Sequence, residues 1–289
     1  MKLRDSVWQK LFIGAPAVML ALAACSAGSV QAEPVYAAVD ANVPYGAVAS
    51  LPADPPAVRL AYGNDPLQFG ELWLPATAEP VSLVVFVHGG CWLNAYDVQH
   101  TYALSTALTQ AGYAVWSLEY RRTGDLGGGW PGTFEDILAG LAFVDNLAEY
   151  GVTTDQYVLA GHSAGGHLAL LAGARVSAAR AVIGLAAITD IETYAAGNNS
   201  CQTATPQFMG GMPAQKPAEY EAANPVRHSR HANTILLHGS ADAIVPIEQA
   251  QLPQAFRVIA EEAGHFDWVH PGTPAFGTLL STLQQVFAE

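Results

Sequence analysis

Three stretches of the chain hold residues suited to covalent chemistry. The first is Gly161-His162-Ser163-Ala164-Gly165. An apolar run, Tyr157-Val158-Leu159-Ala160, leads into it, and a small-residue helix over Ala164–Arg175 leads out. A serine on such a strand-to-helix turn sits at a sharp, strained bend with its Oγ over the sheet edge. Flanking glycines are needed because a β-carbon there would meet neighbouring strands. The helix N-terminus favours negative charge nearby. A serine hydroxyl is a weak nucleophile at neutral pH and needs a base. His265, in Ala263-Gly264-His265-Phe266 after a late apolar strand, is the candidate, ahead of His270, His238, His228 and His231. A third group must orient the imidazole and stabilise its cation. Asp242, in His238-Gly239-Ser240-Ala241-Asp242 just past a strand, fits better than Asp190, which also follows a strand. Asp267 stands too close in sequence to His265 for that task.

Acyl transfer through such a serine also needs backbone N–H donors for the developing oxyanion. Ala164, next after Ser163, supplies one, and the glycine-rich loop His88-Gly89-Gly90-Cys91-Trp92 lets the backbone approach a substrate closely for others. Cys91 has no evident base of its own, so it is not read as a competing nucleophile.

The elements that must position these residues alternate in type. Val58–Gly63 and Phe69–Leu74 read as a hairpin around a Gly-Asn-Asp-Pro turn. Val81–Val87 is nearly continuous β-branched and apolar sequence, the pattern of a strand buried on both faces. Further strands are predicted at Tyr113–Glu119, Tyr157–Ala160, Val182–Ala187, Ile235–Leu237 and Arg257–Ala260. Helices are predicted at Val98–Ala111, Phe134–Tyr150, Ala164–Arg175 and 273–288. This alternation predicts an α/β fold, a mostly parallel sheet with helices on both faces. Residues 191–233 break the rhythm and read as a short cap insertion.

Taken together, His88-Gly89-Gly90-Cys91-Trp92, Gly161-His162-Ser163-Ala164-Gly165-Gly166-His167, His238-Gly239-Ser240-Ala241-Asp242 and Gly264-His265 resemble the esterase branch of the α/β-hydrolases. That branch includes carboxylesterases of the hormone-sensitive-lipase type and kynurenine formamidase-like enzymes. Glu119-Tyr120-Arg121-Arg122 and Gly127-Gly128-Gly129-Trp130-Pro131-Gly132-Thr133 are similar to the formamidase-like members in particular. The lipase-type loop has a third glycine where Cys91 stands, and formamidase-like members tolerate a larger residue there. The resemblance implies oxyanion donors at Gly90, Cys91 and Ala164, with Gly89 shaping the turn. It implies hydrolysis of a small acyl or aryl ester without a cofactor, an arylformamidase-like amide hydrolase being the alternative and a non-catalytic binding protein on the same scaffold a further one. Trp92 and Trp130, with Tyr96, are candidates to line the substrate pocket. Arg121 and Arg122 either bind a substrate carboxylate or pair with a local acid.

Composition narrows the partners. The chain has 289 residues, 51% hydrophobic, with a formal charge of −13. An acidic surface without a basic run repels nucleic acid and anionic membrane. No Walker loop, no Rossmann glycine pattern and no zinc-ligand spacing is present. Residues 1–24 read as an export signal: Lys2, Arg4 and Lys10 precede the apolar run Leu11–Ala24. The ending Leu22-Ala23-Ala24-Cys25 resembles a bacterial lipobox, which implies lipidation at Cys25. Val30-Gln31-Ala32 offers ordinary signal cleavage instead, an uncleaved anchor is a third reading, and all three place the protein outside the cytoplasm, in the periplasm or at the cell surface. Residues 25–56, rich in Ala and Pro, read as a tether or loosely packed arm, and 57–289 as the hydrolase domain. Cys91 and Cys201 could pair in an oxidising compartment, but the sequence favours two separate buried thiols.

Overall fold

The computed structural model describes residues 35–77 and 80–288. The signal segment and Cys25 lie outside them. The described chain builds one sheet of eight strands in the order β1-β2-β4-β3-β5-β6-β7-β8. The strands are β1 (Val58–Ala61), β2 (Phe69–Trp73), β3 (Val81–Val87), β4 (Ala114–Leu118), β5 (Val152–His162), β6 (Ala179–Leu185), β7 (Thr234–Gly239) and β8 (Phe256–Ala260). β2 runs antiparallel to both β1 and β4, and every pairing from β4 to β8 is parallel. This is the predicted α/β sheet.

Helices cover both faces. They are α1 (Tyr45–Ala49), α2 (Tyr102–Gln110), α3 (Gly132–Ala142), α4 (Ala164–Gly173), α5 (Ile191–Tyr194), α6 (Ser200–Met209), α7 (Pro217–Ala223) and α8 (Pro274–Ala288). The core divides along the period-two geometry of a strand. Leu83, Val85 and Val87 of β3 join a cluster with Phe134 and Ile137 of α3 and Leu168 and Leu171 of α4. Val84 and Phe86 face the other way, toward Leu104 and Leu108 of α2 and Leu279 and Leu283 of α8. That is why Val81–Val87 is apolar at consecutive positions.

Three details differ from the sequence reading. β5 starts at Val152, with the polar and partly exposed residues Thr153 to Gln156 in its first half. A register shift between Ser82 and Val84 accommodates this extension. The segment expected as helix over Val98–Ala111 begins with a 3-10 turn, Val98–Thr101, and 134–150 ends in another, Val144–Tyr150.

The described part of the arm, 35–56, is packed against the domain. Its backbone donates from Val39 N to Gly272 O (3.0 Å) and from Asp54 N to the Thr106 hydroxyl (2.9 Å). Trp73 Nε1 in turn donates to Asp54 O (3.1 Å), and Val48 of α1 is buried in the second core cluster. Between β6 and β7, α5, α6 and α7 fill the stretch predicted as a cap. α6 opens on a capping box, Asn199 with Gln202, and stops at Gly210 in the left-handed region.

Candidate active site

The carboxyl ends of β5, β7 and β8 bring the three predicted residues together. Ser163 stands between the end of β5 and the start of α4 with φ 57° and ψ −121°. A non-glycine residue in that region is strained, and the surroundings must enforce it. They do so through close approach. A β-carbon on Gly165 would meet the carbonyls of Val87 and His88 at the end of β3, and one on Gly161 would meet the backbone of Gly165. Glycines at both positions therefore let the turn press against the neighbouring strand. Ser163 N donates to Leu185 O of β6 (2.8 Å), fixing the bend from the other side.

Asp242 follows β7 and His265 follows β8. His265 Nδ1 donates to Asp242 Oδ2 at 2.8 Å, and both side chains are buried. In the neutral ring this bond places the proton on Nδ1 and leaves Nε2 as the acceptor. The other Asp242 oxygen accepts from Ile244 N and Val245 N, each at 2.9 Å. Burial alone would push the Asp242 carboxyl up. The neighbouring charge and hydrogen bond of His265, with the Val245 N–H, hold it below the usual carboxylate range instead.

The His88–Trp92 turn lies beside Ser163. Gly90, Cys91 and Trp92 have φ of 114°, 53° and 58°. Gly89 is close-packed: a β-carbon there would lie 3.0 Å from that of Ser163. Ala164 heads α4, so its N–H has no carbonyl one turn back to bond within the helix. Beneath the turn, His88 sits between Glu119 Oε1 (3.0 Å) and Gly89 O (2.7 Å). Glu119 Oε2 accepts from Val98 N (3.0 Å), and Tyr120 donates from its hydroxyl to His88 O (2.7 Å). Burial pushes Glu119 up, but His88, Arg122 and the Tyr120 N–H together hold it below the usual range.

Ser163 and His265 line one cavity of about 240 Å³ with Gly90, Cys91, Tyr45, Tyr96, His100, His162, Ser200, Cys201, Ile244 and Phe266. No Lys, Arg, Asp or Glu is among these residues. Burial holds His100 down to about 3, with His88 adding to the effect, and holds His162 well below the ordinary histidine value, with His265 adding there. Both rings are therefore uncharged near neutral pH. His162 Nε2 donates to His265 O (2.9 Å), tying the nucleophile turn to the histidine loop.

Several expectations need correction. Trp92 does not line the cavity: it is fully buried, stacked on Phe208 of α6 with ring centroids 4.8 Å apart. The Trp130 ring stacks on Phe134 (5.4 Å) and its backbone N–H donates to Phe208 O (2.8 Å), also away from the cavity. Both indoles fix the cap to the domain, because the positive-φ turn at Trp92 sends that ring inward. Tyr96 does line the cavity. Cys91 and Cys201 are not separate thiols but form a disulfide with Cα atoms 5.0 Å apart, across a separation of 110 residues. It links the glycine-rich turn to α6. Arg121 makes a bidentate pair with Asp136 (2.8 and 2.6 Å). Arg122 is held by Asp125, Glu119 and the Tyr96 carbonyl, so neither arginine faces the cavity. Tyr45, His100, Ser200, Ile244 and Phe266 were missed as cavity residues. Their only sequence signal is proximity to motif residues for Phe266 and Ile244; Tyr45 has none. Among the described residues no cluster of three or more His, Cys, Asp or Glu is arranged to hold a metal ion.

Sheet order, turn geometry and the chain order Ser163, Asp242, His265 define an α/β-hydrolase fold. The chain belongs to the BD-FAE family, whose model matches residues 71–255. It is similar to the esterase LipC of Mycobacterium tuberculosis, 27% identical over an alignment of 217 positions that covers 67% of this chain and 53% of LipC. It is also similar to the esterase LipQ of the same organism, 27% identical over 66% of this chain and 48% of LipQ. The chain thus spans about half the length of these relatives. Among solved structures, esterase B from Lactobacillus superposes with a TM-score of 0.70 at 20% identity, covering 84% of this chain and 90% of that one. A truncated carbohydrate esterase from gut microbiota gives 0.68 at 19% identity, covering 82% and 100%. These likenesses carry the fold.

Proposed function

We propose that the protein hydrolyses small, uncharged carboxylic esters through an acyl-enzyme on Ser163. The observation that carries this reading is the convergence of a strained serine and an Asp242-oriented imidazole on one cavity free of charged side chains. Ser163 Oγ attacks the ester carbonyl while His265 Nε2 takes its proton. The N–H groups of Gly90, Cys91 and Ala164 receive the oxyanion. His265 then returns the proton to the leaving alcohol, and Asp242 stabilises the imidazolium in between. A water activated by His265 releases the acid. The esterases among the relatives support ester hydrolysis, and the carbohydrate esterase among the structural neighbours is compatible with an alcohol bearing hydroxyl groups.

An N-formyl amino-acid amide is disfavoured because its carboxylate would find no cation: Arg121 and Arg122 are both engaged elsewhere. The test is a hydrolysis profile on p-nitrophenyl acetate, butyrate and octanoate beside N-formyl-kynurenine, with Ser163→Ala as control. Ester turnover that vanishes in Ser163→Ala is expected. Equal activity in both proteins, or preference for the formamide, would overturn the assignment. Export and lipidation at Cys25 are proposed on the sequence alone. A Cys25→Ala protein is then expected to leave the membrane fraction, and an unchanged distribution would refute the anchor.

A further inference from the structure

The N-terminal arm reaches the cavity. Tyr45, first residue of α1, lines it between two other rings. Its centroid lies 5.5 Å from Tyr96 at 80° and 5.5 Å from Phe266 at 61°. Tyr96 belongs to the segment after the glycine-rich turn. Phe266 is the neighbour of His265 and packs edge-on to its ring at 5.0 Å. Tyr45 therefore closes the gap between the side of the cavity that carries the oxyanion donors and the side that carries the base. The disulfide and Ser200 belong to the cap side, and Ile244 to the loop after β7 that carries Asp242.

The arm is held in place by the loop that carries His265. Asp267, fully buried, accepts from Asn42 N (2.7 Å) and Val43 N (2.8 Å) through its two carboxylate oxygens, and one of these also accepts from Gly264 N (3.2 Å). One carboxylate thus joins the turn before Tyr45 to the residue before His265. Asn42 is in the left-handed region at φ 68°, and its side chain is packed so tightly on Gly264 that no β-carbon fits there. Hydrogen bonds that backbone N–H groups donate to a carboxylate are short and strong. Val48 anchors the far end of α1 in the core. A ring fixed at both ends of its helix makes a firm boundary, where a tether would leave the cavity open at this point.

We propose that Tyr45 is a specificity-determining residue: its ring, clamped through Asp267, limits the length of the substituent that the cavity accepts. This rests on the ester-hydrolase assignment above. One extra or missing methylene in a fitted apolar pocket changes kcat/KM by about 10-fold or more. The expectation follows for a p-nitrophenyl ester series. In Tyr45→Ala the octanoate-to-acetate ratio of kcat/KM rises by at least about 10-fold. In Tyr45→Trp the butyrate-to-acetate ratio falls by about 10-fold, and Tyr45→Phe, which keeps the ring, keeps the wild-type ratios. Ratios in Tyr45→Ala and Tyr45→Trp that both stay within about twofold of wild type, with turnover still abolished by Ser163→Ala, would overturn the boundary alone. Turnover indifferent to Ser163→Ala would instead overturn the hydrolase assignment. The Trp variant adds volume at a half-exposed position, so it reads out the boundary even where the Ala variant folds poorly.

Discussion

Among the described residues two buried histidines share a hydrogen bond with a buried carboxylate at a strand end, His265 with Asp242 at 2.8 Å and His88 with Glu119 at 3.0 Å, while His238 Nε2 lies 3.8 Å from the same Asp242 and bonds Val245 O. Each histidine is nearly or wholly buried, and each carboxylate is held below its usual range. The difference is in the second ring nitrogen. In His265 it is left for the cavity that Ser163 lines. In His88 it is engaged at 2.7 Å by the carbonyl of Gly89, so both nitrogens face oxygen atoms and neither is open. His88 also stacks on Tyr120 with centroids 4.4 Å apart. A histidine beside a carboxylate is thus a base only when its far nitrogen is left open. The other pair is scaffolding for the turn that presents Gly90 and Cys91.

The largest expected effect separates the two pairs by what they damage. Asp242→Asn keeps an acceptor for Ile244 N and Val245 N but no longer selects the Nδ1–H form of His265. Its kcat should fall by about 10⁴ with little change in melting temperature. Glu119→Gln should do the reverse. It removes the buried carboxylate that His88 and Arg122 share, leaving Arg122 only Asp125, a loss of about 3–5 kcal/mol of stability. The folded fraction should keep much more activity than Asp242→Asn does. Measuring kcat and denaturant midpoints for both variants breaks the comparison if Glu119→Gln proves the more damaging to kcat.

The glycine-rich turn has a second support, from the cap. The disulfide ties Cys91 to Cys201 of α6, while Glu119 acts from beneath. Cys201→Ala removes the upper tie without touching the Cys91 N–H. Closing a loop of this size contributes about 2–5 kcal/mol in small domains, so a lower denaturant midpoint is expected. A modest fall in kcat, about 10-fold, with KM nearly constant is expected as well, since a looser turn weakens oxyanion binding more than ground-state binding. An unchanged kcat would show that Glu119 and His88 suffice to hold the turn.

The contrast also marks what the chain reveals before folding. Ser163, Asp242 and His265 stand at ends of apolar strands, where a local pattern announces both the element and its exit. The eight strands were legible for the same reason, down to the consecutive apolar positions of β3. The cavity boundary was not. Tyr45 lies far from every motif and reaches the cavity only because Asp267 accepts from Asn42 and Val43, a contact across more than 220 residues. Trp92 and Trp130 had suitable chemistry and stood beside or near motifs. Yet the cap residue Phe208 drew both indoles into packing. The disulfide was hidden likewise, because spacing in sequence does not bring α6 over the turn. Residues that do chemistry are placed by secondary structure, whereas residues that shape the cavity are placed by tertiary contact.

Histidines outside both pairs give the smallest effect, and its sign follows from their burial. Burial holds His167 down to about 4, although its bond from Nε2 to Ala223 O (2.7 Å) opposes the shift. His100 is held down to about 3. In the unfolded chain a histidine takes a proton below about pH 6.5. Between that value and the folded one the unfolded state binds more protons, so stability rises with pH. The contribution is therefore complete above about pH 6.5 and is lost as pH falls toward 4, at about 1.4 kcal/mol per pH unit for each such histidine. His167→Gln can still donate to Ala223 O but has no proton to gain. Its plot of unfolding free energy against pH should be shallower than wild type by about that slope between pH 6 and pH 4.5. A parallel displacement without a change of slope would mean that His167 takes up its proton in the folded protein as readily as in the unfolded one, and that edge-on packing against Trp92 at 5.3 Å tolerates the charged ring.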